Sequence, residues 1–150
     1  MDCDSPRADR HVDTLSPEAT IVLRAPLCIL ISGPRDVTWE SARRIARSCG
    51  SGLAWIDCDR VASDELADML REHLVREPQK SLDRILFLRE VQVLSPANQQ
   101  LLEQLITSQK PRQKRPRLIA SSSLSLYDWV QAGLFDEALF YKLNAVHLTP

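Results

Sequence analysis

CILISGPRDVTWESARRIA, Cys28 to Ala46, opens on apolar residues and changes character at Gly33. Leu27 to Ile31 form a short, unbroken apolar run, the pattern of a strand covered on both faces. Gly33 and Pro34 end it. Asp36 or Thr38 can then cap a helix over Trp39 to Ser48, whose Ala42, Ile45 and Ala46 make an apolar stripe. Cys49, Gly50, Ser51 and Gly52 stop that helix. A strand, a sharp turn and a helix in this order are the opening unit of a parallel α/β sheet.

The same alternation continues downstream. Leu53 to Ile56 read as a second strand, and Asp64 to Val75 as an amphipathic helix with Leu66, Met69, Leu70 and Leu74 on one side. Pro78 closes that region. Ile85 to Leu88 form a third strand with Glu90 beyond its end, and Ser95-Pro96 opens a helix carrying Leu101, Leu102, Leu105 and Ile106. Leu118 to Ser121 are a fourth strand, Tyr127 to Ala132 a short helix, Leu139 to Leu143 a further helical turn, and Ala145 to Leu148 a last strand. The expectation is an α/β fold, a parallel sheet of about five strands flanked by helices. Residues 1–17 are polar and read as a flexible N-terminal tail, leaving 18–150 as one domain.

Composition narrows the function classes. With 19 basic and 20 acidic side chains the net charge is −1, so no global field draws the chain to nucleic acid or an anionic membrane. No apolar stretch reaches the roughly 20 residues of a membrane span. The N-terminus has no signal-peptide character, and the expected location is the cytoplasm. Of the four cysteines, none forms a C-x-x-C pair, and Cys28 and Cys58 lie in apolar runs as small hydrophobes. No metal site is expected. Trp55 and Trp129 read as core residues. KPRQKRPR, Lys110 to Arg117, is basic but lacks the interleaved aromatics that stack on bases, so it reads as a solvated loop.

The order of segments resembles the AAA+ domain of sigma-54-dependent transcription activators, the bacterial enhancer-binding proteins. Cys28 to Ala46 looks like that family's strand, Walker A loop and helix. ILFLREVQVLSPANQQLLEQLI, Ile85 to Ile106, looks like its Walker B strand and following helix. RLIASSSLSL, Arg117 to Leu126, and VQAGLFDEALFYKLNAVHL, Val130 to Leu148, match its later segments, and AWIDC, Ala54 to Cys58, echoes a further one. The resemblance implies a P-loop NTPase/AAA+ core, and since the sequence reaches only Pro150, one without the lid subdomain or a helix-turn-helix.

It also implies where a nucleotide site would lie and how it is altered. A P-loop wraps backbone N–H groups around phosphates and adds a lysine. On the matching positions the chain keeps Gly33, has Asp36 and Thr38 where the other glycines belong and Trp39 in the lysine's place, so that Gly33 and Thr38 are at most vestiges of cofactor binding. Arg89 replaces the magnesium-binding aspartate, Glu90 survives, and Ser123 stands for the sensor asparagine. The two arginine fingers fall on Asp136 and Lys142. Without its metal, Glu90 is expected to pair with Arg89 or a nearby lysine, or to be solvated. The interval from Asp59 to Arg84 holds neither Gly nor Phe, so the family's GAFTGA loop is missing.

These alterations imply no ATPase activity and no resident cofactor, neither ATP nor magnesium. The expected function is a non-hydrolysing interaction module in bacterial transcription regulation. Its partner would be a protein, either a transcription regulator or an AAA+ ring, with no direct DNA contact and no membrane. The alternatives are a domain that binds ATP without cleaving it and a remnant without function.

Overall fold

The computed structural model describes residues 28–75, 84–108 and 117–150. The expected tail, the first residues of the domain, Pro78 and the basic loop before Arg117 lie outside the described residues.

Five strands form one sheet: β1 (Ile29–Ser32), β2 (Gly52–Asp57), β3 (Arg84–Arg89), β4 (Arg117–Ser122) and β5 (Val146–Leu148). All pair in parallel, in the order β2-β3-β4-β1-β5. The helices are α1 (Arg35–Ser48), α2 (Ser63–Leu74), α3 (Pro96–Thr107), α4 (Leu126–Gln131) and α5 (Glu137–Leu143), with a 3₁₀ turn at Val91–Val93.

Side chains alternate across a strand, so each strand feeds two cores. Ile29, Ile31, Ile85, Phe87 and Ile119 face α1, which meets them with Ala42, Ile45 and Ala46. Leu30, Ile56, Leu86, Leu88 and Leu118 face the other way, onto Leu66, Leu70, Leu102, Leu139 and Leu143 of α2, α3 and α5. One helix covers one face, and α2, α3, α4 (through Leu126) and α5 contribute to the other. Buried leucines and isoleucines of this kind each contribute roughly 1.5–3 kcal/mol.

Local chemistry sets the helix ends. Ser95 caps α3 by accepting from the Asn98 N–H, with Pro96 at the first helical position where its missing N–H costs nothing. Asp136 caps α5 by accepting from the Ala138 N–H at 2.9 Å. Gln99 is buried and joins the two regions: its Nε2 donates to the carbonyls of Leu94 and Leu134, and its Oε1 accepts from the Asp136 N–H. Among the described residues no helix is long and apolar enough to cross a membrane.

Two expectations need correction. The first helix starts at Arg35, with Pro34 at the N-cap position and no side-chain cap, and not at Trp39 behind Asp36 or Thr38. Thr38 lies inside the helix, buried, with its Oγ1 donating to the Arg35 carbonyl at 3.0 Å. Trp55 is not a core residue: it is 51% exposed. Its strand is the outermost of the sheet on that side, so among the described residues no further strand shelters the face that Trp55 shares with α1.

Candidate functional site at the strand ends

Ligands of parallel sheets bind beyond the C-terminal ends of the strands. Here that region is defined by Ser32 and Gly33 after β1, Asp57 at the end of β2, Arg89 and Glu90 at the end of β3, and Ser122 and Ser123 at the end of β4.

Between β1 and α1 there are only two residues, Gly33 and Pro34. Gly33 has φ +152°, a conformation that suits a residue without a Cβ. Its N–H donates to the Ser122 carbonyl at 3.1 Å, and the Pro34 carbonyl accepts from the Thr38 N–H at 2.9 Å. The segment matched to the Walker A loop, Arg35 to Trp39, is the first turn and more of the helix itself.

Strand alternation decides what faces that helix. Asp57 and Arg89 are register partners and point to the α1 side, like Trp55 and Phe87 two residues earlier. One oxygen of Asp57, Oδ1, accepts from Arg35 (3.0 Å) and forms an ion pair with Arg89 (3.1 Å). Arg35 donates its second arm to Asp59 at 2.7 Å. The hydrogen bond to Asp59 raises the Arg35 pKa above its ordinary value, with Asp59, Asp57 and Glu90 adding to it by charge and partial burial opposing it.

Arg89 also lies over the Trp39 ring, 5.0 Å from its centroid, a cation–π contact. Trp39 in turn stacks on Phe87, with centroids 6.1 Å apart, and meets Trp55 edge-on at 5.1 Å. The two substituted positions, Trp39 and Arg89, thus complete each other. A guanidinium–carboxylate–guanidinium chain and an indole pin the start of α1 to the ends of β2 and β3.

Glu90 does something different from what its neighbours in sequence suggest. It is 6% exposed, adopts a left-handed backbone (φ 61°), and among the described residues pairs with neither Arg89 nor a lysine. Its Oε2 accepts from Gln92 Nε2 at 2.5 Å and from Ser123 Oγ at 2.7 Å. The Glu90 and Ser123 side chains are therefore brought together. Glu90 Oε1 is buried with no hydrogen-bond partner among the described residues.

The positions matched to arginine fingers serve the fold. Asp136 is the α5 cap described above. Lys142 is tied to Glu103 and Thr107 of α3, and the bond from Lys142 holds the Glu103 carboxyl below the ordinary carboxylate range. Sequence reasoning missed Arg35, Asp57, Asp59 and Gln92. It also missed Ser32, whose Oγ lies 2.7 Å from His147 Nε2 and ties β5 to β1. The only signal for the charged set was the parity that places Asp57 and Arg89 at the same level of neighbouring strands.

Cys58 follows β2 and is buried, and burial, helped by Asp59 and Asp57, pushes its thiol up to about 12. It is expected to resist iodoacetamide at neutral pH in the native chain, where the reactive thiolate is scarce, and to be alkylated once urea unfolds it. Mass spectrometry of the alkylated peptides reads the difference.

The all-parallel sheet in the order β2-β3-β4-β1-β5 with helices on both faces is the P-loop NTPase/AAA+ core fold. The sigma-54 interaction domain family matches residues 42–150, and the chain belongs to that family. Solved structures agree on the fold. The ATP complex of NtrX from Brucella abortus is 20% identical, with a TM-score of 0.67 over 96% of this chain and 40% of NtrX. The P-loop NTPase domain of a sigma-54 transport activator from E. coli is 16% identical, with a TM-score of 0.62 over 96% of this chain and 92% of that one. The RuvB Holliday junction branch migration motor of Thermotoga maritima is also similar, at 16% identity and a TM-score of 0.65, over 98% of this chain and 45% of RuvB. The chain spans about two fifths of NtrX. No curated protein matches it.

Proposed function

We propose that this sigma-54-activator-like AAA+ domain works as a protein-docking module of transcription regulation and does not hydrolyse ATP. The observation that carries the reading is the Asp57 carboxylate held between Arg35 and Arg89 at the strand ends. Triphosphate needs backbone donors, a cation for its charge and a carboxylate for magnesium. The residues present do not fit that group. Pro34 has no N–H, the Gly33 N–H is spent on β4, the lysine's place holds an indole, and the metal's seat holds a guanidinium. Asp136 and Lys142 are occupied as cap and ion pair, and neither offers the planar fork of an arginine finger.

The partner class follows from the family, whose members are sigma-54 interaction domains. A core retained around a filled site suits contact with an activator ring or another regulator. A second reading, ATP bound without cleavage, draws on the ATP complex of NtrX and on the unpartnered Glu90 Oε1. Phosphate release decides on hydrolysis. The chain alone should release none above background, and mixing it with a purified sigma-54 activator should change that activator's own turnover. Phosphate release by the chain itself, lost in Glu90→Gln, would contradict the proposal.

A further inference from the structure

The two tryptophans that lock α1 to β2 also form a surface. Trp39 and Trp55 meet at an interplanar angle of 73°, making a corner that opens into a concavity of about 250 Å³. Leu53 floors it, and Arg43 and Arg47 of α1 stand along one side. The Trp55 ring is half exposed, which costs apolar surface that a core tryptophan would not leave in water.

Charge is as one-sided as shape. Arg43 has one partner, the exposed Glu40 at 3.3 Å, in a pair of the kind solvent largely screens. Arg47 has no ion pair among the described residues. Asp57 and Asp59, at and just beyond the end of β2, are already committed to Arg35 and Arg89. Beside the corner runs β2, which pairs with β3 on one edge and with nothing among the described residues on the other. An outer strand presents alternating N–H and C=O groups, which only another peptide backbone can match in register.

From these three features we infer that the β2 edge binds an extended acidic peptide of a partner protein. One bulky apolar side chain of that peptide fills the tryptophan corner, and its carboxylates meet Arg43 and Arg47. The backbone edge favours a peptide over single-stranded nucleic acid, which could use the indoles and the arginines but not the strand. This inference rests on the docking-module reading for the existence of a partner, and its surface adjoins the strand-end site through Trp39, which belongs to both.

Tryptophan fluorescence of the full chain tests it. The probes are a short peptide alternating aspartate with leucine and phenylalanine, the same peptide with lysine for aspartate, and a single-stranded oligothymidylate. The acidic peptide should give a saturable change with a Kd of about 10–100 µM, in the range of transient peptide recognition. Binding should weaken about tenfold in Arg43→Glu/Arg47→Glu and should fall as salt shortens the screening length. Trp55→Ala should remove it, and thermal melting should show that these exposed substitutions leave the fold intact. Saturation by the lysine peptide or tighter binding of the oligothymidylate would overturn the inference, as would no saturation by the acidic peptide at about 1 mM, the edge of specific affinity. A failure here alongside absent phosphate release removes this surface and leaves the docking reading, whereas phosphate release removes the docking reading itself.

Discussion

Arg89→Asp, which installs the residue type the family uses to hold magnesium, is expected to destabilise the chain by about 3 kcal/mol and to yield no ATP turnover. Removing one partner of a largely buried ion pair costs on the order of 3–5 kcal/mol. The Arg89 and Asp57 side chains are 16% and 20% exposed, which places this pair toward the lower end. The new carboxylate would face Asp57 directly and leave Arg35 as the one described cation among Asp57, Asp59 and the substituted position. The contact over Trp39 is lost as well. For a chain of this size, about 3 kcal/mol lowers the melting temperature by roughly 6–12 °C. Arg89→Leu removes the cation without adding an anion and keeps the Arg35–Asp57 pair, so it should cost less than half as much. Equal melting temperatures for Arg89→Asp and the unaltered chain would show that the charged chain does not hold α1.

Phe87→Ala is expected to cost about 3–5 kcal/mol, the range for emptying an aromatic site in a packed core. Phe87 is fully buried on the α1 face of β3 and forms the support on which Trp39 stacks. Its loss should therefore also loosen the indole and shift tryptophan emission to longer wavelength. Trp55→Ala, at a half-exposed position, should cost about half as much, roughly 1.5–2.5 kcal/mol, since only about half of its area leaves water on folding. A chemical denaturation series separates the two. Comparable small losses for both would mean that the tryptophan corner is not built on Phe87.

Much of the fold could be read from the chain because buried parallel strands are short apolar runs, and Ile85 to Leu88 and Leu118 to Ala120 admit little else. The helix stripes of Ala42, Ile45 and Ala46, and of Leu66 and Leu70, likewise set the packing faces. The start of α1 was misplaced for a reason of chemistry. A nucleotide loop between β1 and α1 would unwind Arg35 to Trp39, but nothing in a local propensity reveals that Arg35 is anchored by acids more than 20 residues away. The fate of Glu90 was hidden in the same way. Its partners Gln92 and Ser123 are unremarkable polar residues until the sheet lays β4 beside β3. Trp55 was read as core because strand tryptophans usually are. Its exposure follows from β2 being outermost, and strand order is a property of the whole sheet, invisible in six residues.

Calorimetric titration of the purified chain with ATP and magnesium addresses the filled site most directly. The Arg35–Asp57–Arg89 arrangement predicts no saturable heat below about 1 mM nucleotide, a binding free energy weaker than about −4 kcal/mol. Micromolar binding that requires magnesium and is lost in Glu90→Gln would contradict it.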